Sequence, residues 1–342
     1  AVHWNPASIS GLRGSELSFG LELLDADVDL TTTIGGVSNT TDGDAGFVPI
    51  PSIGWVHHFD NTPLSIGLGV SAIAGFRNNL PSDPANIVLA AGPAYASAEF
   101  LQIAPTLSYA LSDRLSIGFA PTLTTATLLL DPLGPSVVTP APVAGSGNRM
   151  HWGGGFQIGA YYEANECWSF GFTYKSKQWF EAFNFFVPGG TIQFDLDYPM
   201  LLSLGTAYTG VENLTIAVDA RYVDFANADG FRDLGFSSVF AFAVGAQYRI
   251  GDHLFLRAGY NINAQPIKEN DVFTNIYTPL IQEQNMAVGG TWRLACNVDI
   301  NLAYVHAIEN SVTGPLPPLG PTATLSNRLS ADSAILGVAV RY

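Results

Sequence analysis

The sequence predicts an all-β protein, a 14-stranded antiparallel transmembrane β-barrel, and three observations carry that expectation. Apolar and polar residues alternate in many segments along the chain. The connections between these segments are tight and long by turns. The chain is hydrophobic overall, yet no stretch approaches the roughly 20 consecutive apolar residues of a spanning helix. With 13% charged and 12% aromatic residues, it suits a wall in which only every second side chain meets lipid.

Strands are expected at 15–30, 47–59, 63–76, 97–111, 114–129, 148–164, 167–185, 191–209, 213–226, 235–250, 253–266, 281–295, 297–309 and 328–342. In the seventh, Trp168, Phe170, Phe172 and Tyr174 alternate with Ser169, Gly171, Thr173 and Lys175. The ninth sets Leu214, Ile216, Val218, Ala220 and Tyr222 against Thr215, Ala217, Asp219 and Arg221. In the eleventh, Leu254, Leu256, Ala258, Tyr260 and Ile262 face Phe255, Arg257, Gly259 and Asn261; in the thirteenth, Val298, Ile300, Leu302 and Tyr304 face Asp299, Asn301 and Ala303. The last strand ends Val338, Val340, Tyr342, apolar toward lipid with an aromatic residue at the rim.

A soluble sandwich can also alternate in this way, so the connections decide. Tight turns are expected at Asp60-Asn61, Ser112-Asp113, Asn165-Glu166, Glu212-Asn213, Gly251-Asp252 and Cys296, where Asn, Asp and Gly supply hairpin backbone angles. Between them lie longer loops, at 31–46, 77–96, 131–147, 186–190, 227–234, 267–280 and 310–327. A bacterial barrel has short turns at one rim and long loops at the other. No Pro- or Ser-rich linker divides the chain, which therefore reads as one barrel domain.

Composition and motifs exclude several function classes. The net charge of −15, with 14 Lys and Arg against 29 Asp and Glu, argues against nucleic acid. There is no P-loop, dinucleotide fingerprint or nucleophile elbow, so neither enzymatic activity nor a cofactor is expected. Asp25, Asp27 and Asp29 share one strand face and offer oxygens, but without a calcium loop. His57 and His58 point to opposite faces and the other histidines lack ligand spacing, so no metal is expected. Cys167 and Cys296 fall in turns nearly opposite each other, too far apart for a disulfide, and are read as free thiols.

Several segments, in order along the chain, resemble the FadL family of outer-membrane transporters of long-chain fatty acids and other hydrophobic compounds. They are Asn5-Pro6-Ala7, Leu24-Asp25-Ala26-Asp27-Val28-Asp29, Trp152-Gly153-Gly154-Gly155-Phe156 with Thr173-Tyr174-Lys175-Ser176, Gly230-Phe231-Arg232-Asp233, and Leu256-Arg257-Ala258-Gly259-Tyr260. The resemblance implies a bacterial outer-membrane barrel over 15–342, surrounded by lipid and lipopolysaccharide. It implies a hatch remnant over 1–14 carrying the motif Asn5, Pro6, Ala7, whose first helices either precede residue 1 or are lacking. It further implies an inward kink in the third strand, through which a hydrophobic small molecule leaves sideways into the membrane.

By alignment the kink falls near Ala72, Ala74, Gly75 and Phe76, where small residues permit unusual backbone angles. Pro105 and Pro121, nearly opposite each other on strands 4 and 5, cannot donate to a ladder, and they extend the expected lateral gate. The family's two basic head-group positions align at about Thr127 and Asn227, which are uncharged here. The remaining head-group candidates are Lys175, Arg221, Arg257 and Arg293, facing inward, with Arg232 and Lys268 near loops. Fatty acid and neutral hydrocarbon therefore stay open as ligands, and Ile87-Val88-Leu89-Ala90-Ala91 is a candidate capture site. An aqueous porin and a sealed structural or interaction barrel are the alternatives. The oligomeric state is open.

Overall fold

The computed structural model describes residues 2–12, 14–133, 149–187, 190–295 and 297–342. Among them fourteen antiparallel strands form the barrel wall: β1 (Glu16–Ile34), β2 (Val48–His58), β3 (Leu64–Leu80), β4 (Ala94–Ser112), β5 (Leu115–Asp131), β6 (His151–Glu163), β7 (Trp168–Lys175), β8 (Met200–Val211), β9 (Leu214–Asp224), β10 (Val239–Ile250), β11 (Leu254–Asn263), β12 (Gln284–Ala295), β13 (Val298–Pro315) and β14 (Thr324–Arg341). Each strand pairs with the next, and β14 returns to β1 in one unbroken register from Glu16↔Arg341 to Thr33↔Thr324. Closure satisfies the backbone groups that an open sheet edge would leave bare in lipid.

The period-two reading assigns the two faces as expected. Phe170, Val218, Leu256 and Leu336 are exposed on the outer surface, whereas Thr173, Lys175 and Asp299 are buried toward the lumen. Asn61, Asn213 and Gly251 take positive φ values of 59°, 63° and 60° in three of the short turns, the angles that hairpins of this kind require. Aromatic residues gather near the short-turn rim, where the Trp55 indole donates to the Tyr342 hydroxyl at 2.6 Å.

Three expectations are corrected. Residues 31–46 are mostly strand: β1 continues to Ile34, turns at Gly35 and Gly36 and returns as Val37–Asp42. The β-branched run Thr31, Thr32, Thr33 favours this extension. The end of the seventh strand and the start of the eighth leave the wall, because β7 stops at Lys175 while Phe183–Val187 pairs with Gly190–Phe194 in a separate hairpin. Its alternation reads like a wall strand, but Phe183 and Phe185 are buried against Phe100, Ala126 and Leu128 inside the barrel. Val88 and Leu89, expected in a capture site, are 2% and 0% exposed and pack with Leu30, Leu80, Ile276 and Leu316 as the core of the long-loop cap. Cys167 is a free thiol; Cys296 lies outside the described residues.

Candidate functional site

The N-terminal segment lies against the inner faces of β3 to β6. Pro6–Gly11 forms a 3₁₀ helix capped by Asn5, whose side-chain oxygen accepts from the Ala7 amide at 2.9 Å. Proline at the first helical position needs no hydrogen-bond partner for a donor it lacks. The Asn5 amide nitrogen also donates to the wall carbonyls of Ala160 and Phe172, at 3.0 and 3.2 Å. Ser108 donates to the Ala7 carbonyl and Gln157 to that of Val2. Close approach is possible because the wall is bare at Gly118 and Gly159, which are register partners. A Cβ on either would collide with Asn5, Pro6 or Ala7. Composition alone did not single out these glycines; two small residues paired across a seam were the signal available.

A second feature is a break in the wall. β2 and β3 pair only from His58↔Ser65 to Ser52↔Ser71. Beyond that point β2 stays with β1 to Val48↔Leu24 and β3 stays with β4 to Leu80↔Ala94, so the two part company. The register of β3 against β4 shifts between Ala72 and Ala74, with Ile73 as the extra residue. Such a bulge bends a strand and reverses which residues face inward. Thus Ser65, Gly67, Gly69 and Ser71 face the lumen before it, and Ala74, Phe76, Asn78 and Leu80 after it. Pro49 and Pro51, which sequence reasoning passed over, sit on the β2 edge of the break. Their pairing with β1 is continuous although they lack N–H groups, so both ring nitrogens are turned to the gap. Prolines two residues apart in a strand are the signal that could have found this edge.

Pro105 and Pro121 are in register with each other. The β4–β5 ladder holds to Ile103↔Leu123 and resumes at Leu107↔Phe119 with no shift. Pro105 remains paired to β3 and Pro121 to β6, so the interruption is confined to the seam where neither proline can donate.

Two cavities meet at the bend of β3. One, of about 170 Å³, is apolar and lined by Ala74, Phe76, Phe100, Leu128, Phe194 and Phe231 among others. The other, of about 300 Å³, runs from Val305, Leu329 and Ala331 on β13 and β14 to Val48 and Gly75 beside the break. Gly75, Phe76 and Leu280 line both. Leu280 comes from the loop after β11, which enters the lumen and is tied to β3 by the Asn78 amide donating to the Ile276 carbonyl at 3.1 Å.

The family model of the outer membrane protein transport proteins, OMPP1/FadL/TodX, matches residues 1–342. The chain belongs to this family. Members are outer-membrane transporters of hydrophobic compounds, and the closed fourteen-stranded wall agrees. Among solved structures, the Pseudomonas putida toluene transporter TodX is 17% identical, with a TM-score of 0.75, over 99% of this chain and 93% of that one. A Pseudomonas aeruginosa FadL homologue is 14% identical, with a TM-score of 0.73, over 99% and 92%. The Ralstonia pickettii toluene transporter TbuX is 14% identical, with a TM-score of 0.69, over 100% and 93%. These likenesses concern the fold. No curated protein matches the chain.

Within this FadL-type barrel the six head-group candidates separate. Arg293 is paired with Asp299, which Arg341 also holds. Arg257 donates to Gln247 and Thr291, and Arg232 bridges to Asp229 and Asp233 at the loop rim. Lys268 is exposed at the start of a short 3₁₀ turn. Only Lys175 and Arg221 are brought together, both against Trp4, with their charged groups 5.1 and 4.2 Å from its ring centre.

Proposed function

We propose that this barrel passes hydrophobic small molecules without an energy source, from the long-loop side to the membrane interior through the break between β2 and β3. The observation that carries the reading is the apolar cavity at the bend of β3, which shares Gly75, Phe76 and Leu280 with the cavity reaching that break. A closed ladder offers no sideways exit, whereas an interrupted ladder edged by Pro49 and Pro51 does. Long loops of bacterial barrels face outward, so entry lies at the loop cap, with lipid and lipopolysaccharide around the outer wall. The N-terminal segment, residues 1–14, serves as a hatch seated by Asn5, Pro6 and Ala7, and Ala72, Ala74, Gly75, Phe76, Pro105 and Pro121 form the flexible gate sector. The toluene transporters TodX and TbuX share the fold, which favours this reading over an aqueous porin.

The test is uptake of a radiolabelled hydrophobic substrate by cells carrying the intact barrel or its Gly75→Ile variant. A Cβ at residue 75 would approach the Ala98 carbonyl to 3.2 Å, and the rest of the side chain, on the outward face of β3 after the bulge, would stand at the break. Uptake should drop to background in the variant; unchanged uptake would refute the lateral exit.

A further inference from the structure

The cavity of about 300 Å³ beside the break has two unlike sides. Leu24, Val28 and Leu329 give it an apolar surface, and Glu22, Asn78 and Asn285 a polar one. The polar side is short of donors. Leu21 and Leu23 are exposed on the outer surface, so Glu22 between them faces the lumen. Its carboxylate has no hydrogen-bond or ion-pair partner among the described residues. Asn78 is 2% exposed; its amide nitrogen is given to the Ile276 carbonyl, and its side-chain oxygen is buried without a partner. Asn285 donates to the Asn261 side-chain oxygen at 3.2 Å, and no described group donates to its own oxygen. A carboxylate can only accept, so one charge and two amide oxygens converge as acceptors on one space.

Arg77 is the one cation among the described lining residues. It stands on the outward face of β3 after the bulge, 3.8 Å from Glu99 on the outer surface, and makes no ion pair with Glu22. The lumenal charge is therefore negative. A solute seated against Leu24, Val28 and Leu329 shuts water off from the acceptors, and unless it brings donors of its own it leaves them unsatisfied in apolar surroundings. An anion adds like-charge repulsion to the missing bonds. A hydroxyl brings one donor, and a protonated amine brings three together with the opposite charge.

We propose that this cavity selects hydrophobic molecules that end in a hydrogen-bond donor, primary amines ahead of alcohols, with Glu22 receiving the donor, and that it turns carboxylate anions away. The assignment deepens the transport reading and rests on it, since it names what the passage to the break admits. The selecting residue is a lumenal acid on β1, one turn of the pleat from the edge where β2 leaves β3.

The experiment is calorimetric titration of the whole barrel at neutral pH, in nonionic detergent and against a blank of detergent alone, with octylamine, octanol, octyl methyl ether and sodium octanoate. The unaltered barrel should bind the amine at least about tenfold more tightly than the ether, the scale of one hydrogen bond to a charged group, with the alcohol between them and the carboxylate weakest. Glu22→Gln keeps the shape and removes the charge; it should bring the amine down to the alcohol and the carboxylate up to the ether. Glu99→Gln, which removes the acid outside the break, should leave the order unchanged. The comparison on the unaltered barrel stands even where a variant fails to fold. Equal binding of amine and ether, a carboxylate bound as tightly as the amine, or an amine preference that survives Glu22→Gln would overturn the donor site and leave the transport reading intact. Binding of none of the four would overturn both.

Discussion

The side-chain amide of Asn5 fills the space that a Cβ on Gly159 would need, so the N-terminal segment and the wall are complementary at one point. Gly159→Val should therefore expel the N-terminal segment while leaving the barrel ladder whole. Single-channel recording in planar bilayers should show a larger conductance for the variant. Asn5→Ala should act in the same direction more mildly, since it removes a cap worth about 1 kcal/mol and the bonds to Ala160 and Phe172.

Deleting Ile73 should straighten β3. The bulge owes its existence to one surplus residue between Ala72 and Ala74, and without it the alternation of β3 would run unbroken toward β2. Uptake of a labelled hydrophobic substrate should fall to background, with the heat-modifiable gel shift of a folded barrel retained. Normal uptake would show that the bend is not needed for exit.

Replacing Pro105 and Pro121 together by alanine should restore two donors to the β4–β5 seam. Each recovered hydrogen bond is worth about 1 kcal/mol, so the unfolding temperature should rise. The amides of Ile103, Leu107, Phe119 and Leu123 should exchange more slowly than in the unaltered barrel, where they should be less protected than those of β9 to β11. Equal protection in the two proteins would mean that this sector is as rigid as the rest.

Acid should loosen the loop rim. Burial raises the Asp229 carboxyl, but Lys177 and Arg232 outweigh it and hold the group below its ordinary value of 3.8. A depressed folded value contributes stability above the ordinary one, lost as pH falls through the folded value. Burial likewise lowers Lys177, but Asp197 and Asp229 outweigh it and raise the ammonium above 10.5, so its contribution is lost only in strong alkali. Pepsin cleavage within residues 226–235 should therefore be slow at about pH 5 and fast at about pH 2. Asp229→Asn should flatten the difference.

Much of the architecture was legible from local pattern. The alternation around Trp168, Val218 and Leu256 assigned the wall faces, and Asn61, Asn213 and Gly251 marked turns by the backbone angles they tolerate. The same signal misled where an alternating segment had another partner. Phe183 and Phe185 repeat with a period of two like wall residues, yet they belong to a hairpin inside the barrel. Val88 and Leu89 are apolar in a loop, and whether they meet solvent or a core depends on the loop after β11, far along the chain.

The sequence by itself determined the fold class and the strand count, because period-two alternation and turn chemistry act between near neighbours. The tertiary structure decided where the wall parts between Ser52 and Ser71 and which glycines seat Asn5. It also decided which two of six candidate cations meet over Trp4. Those outcomes depend on register between strands distant in sequence, and a single bulged residue such as Ile73 exchanges inside for outside without leaving a mark on composition.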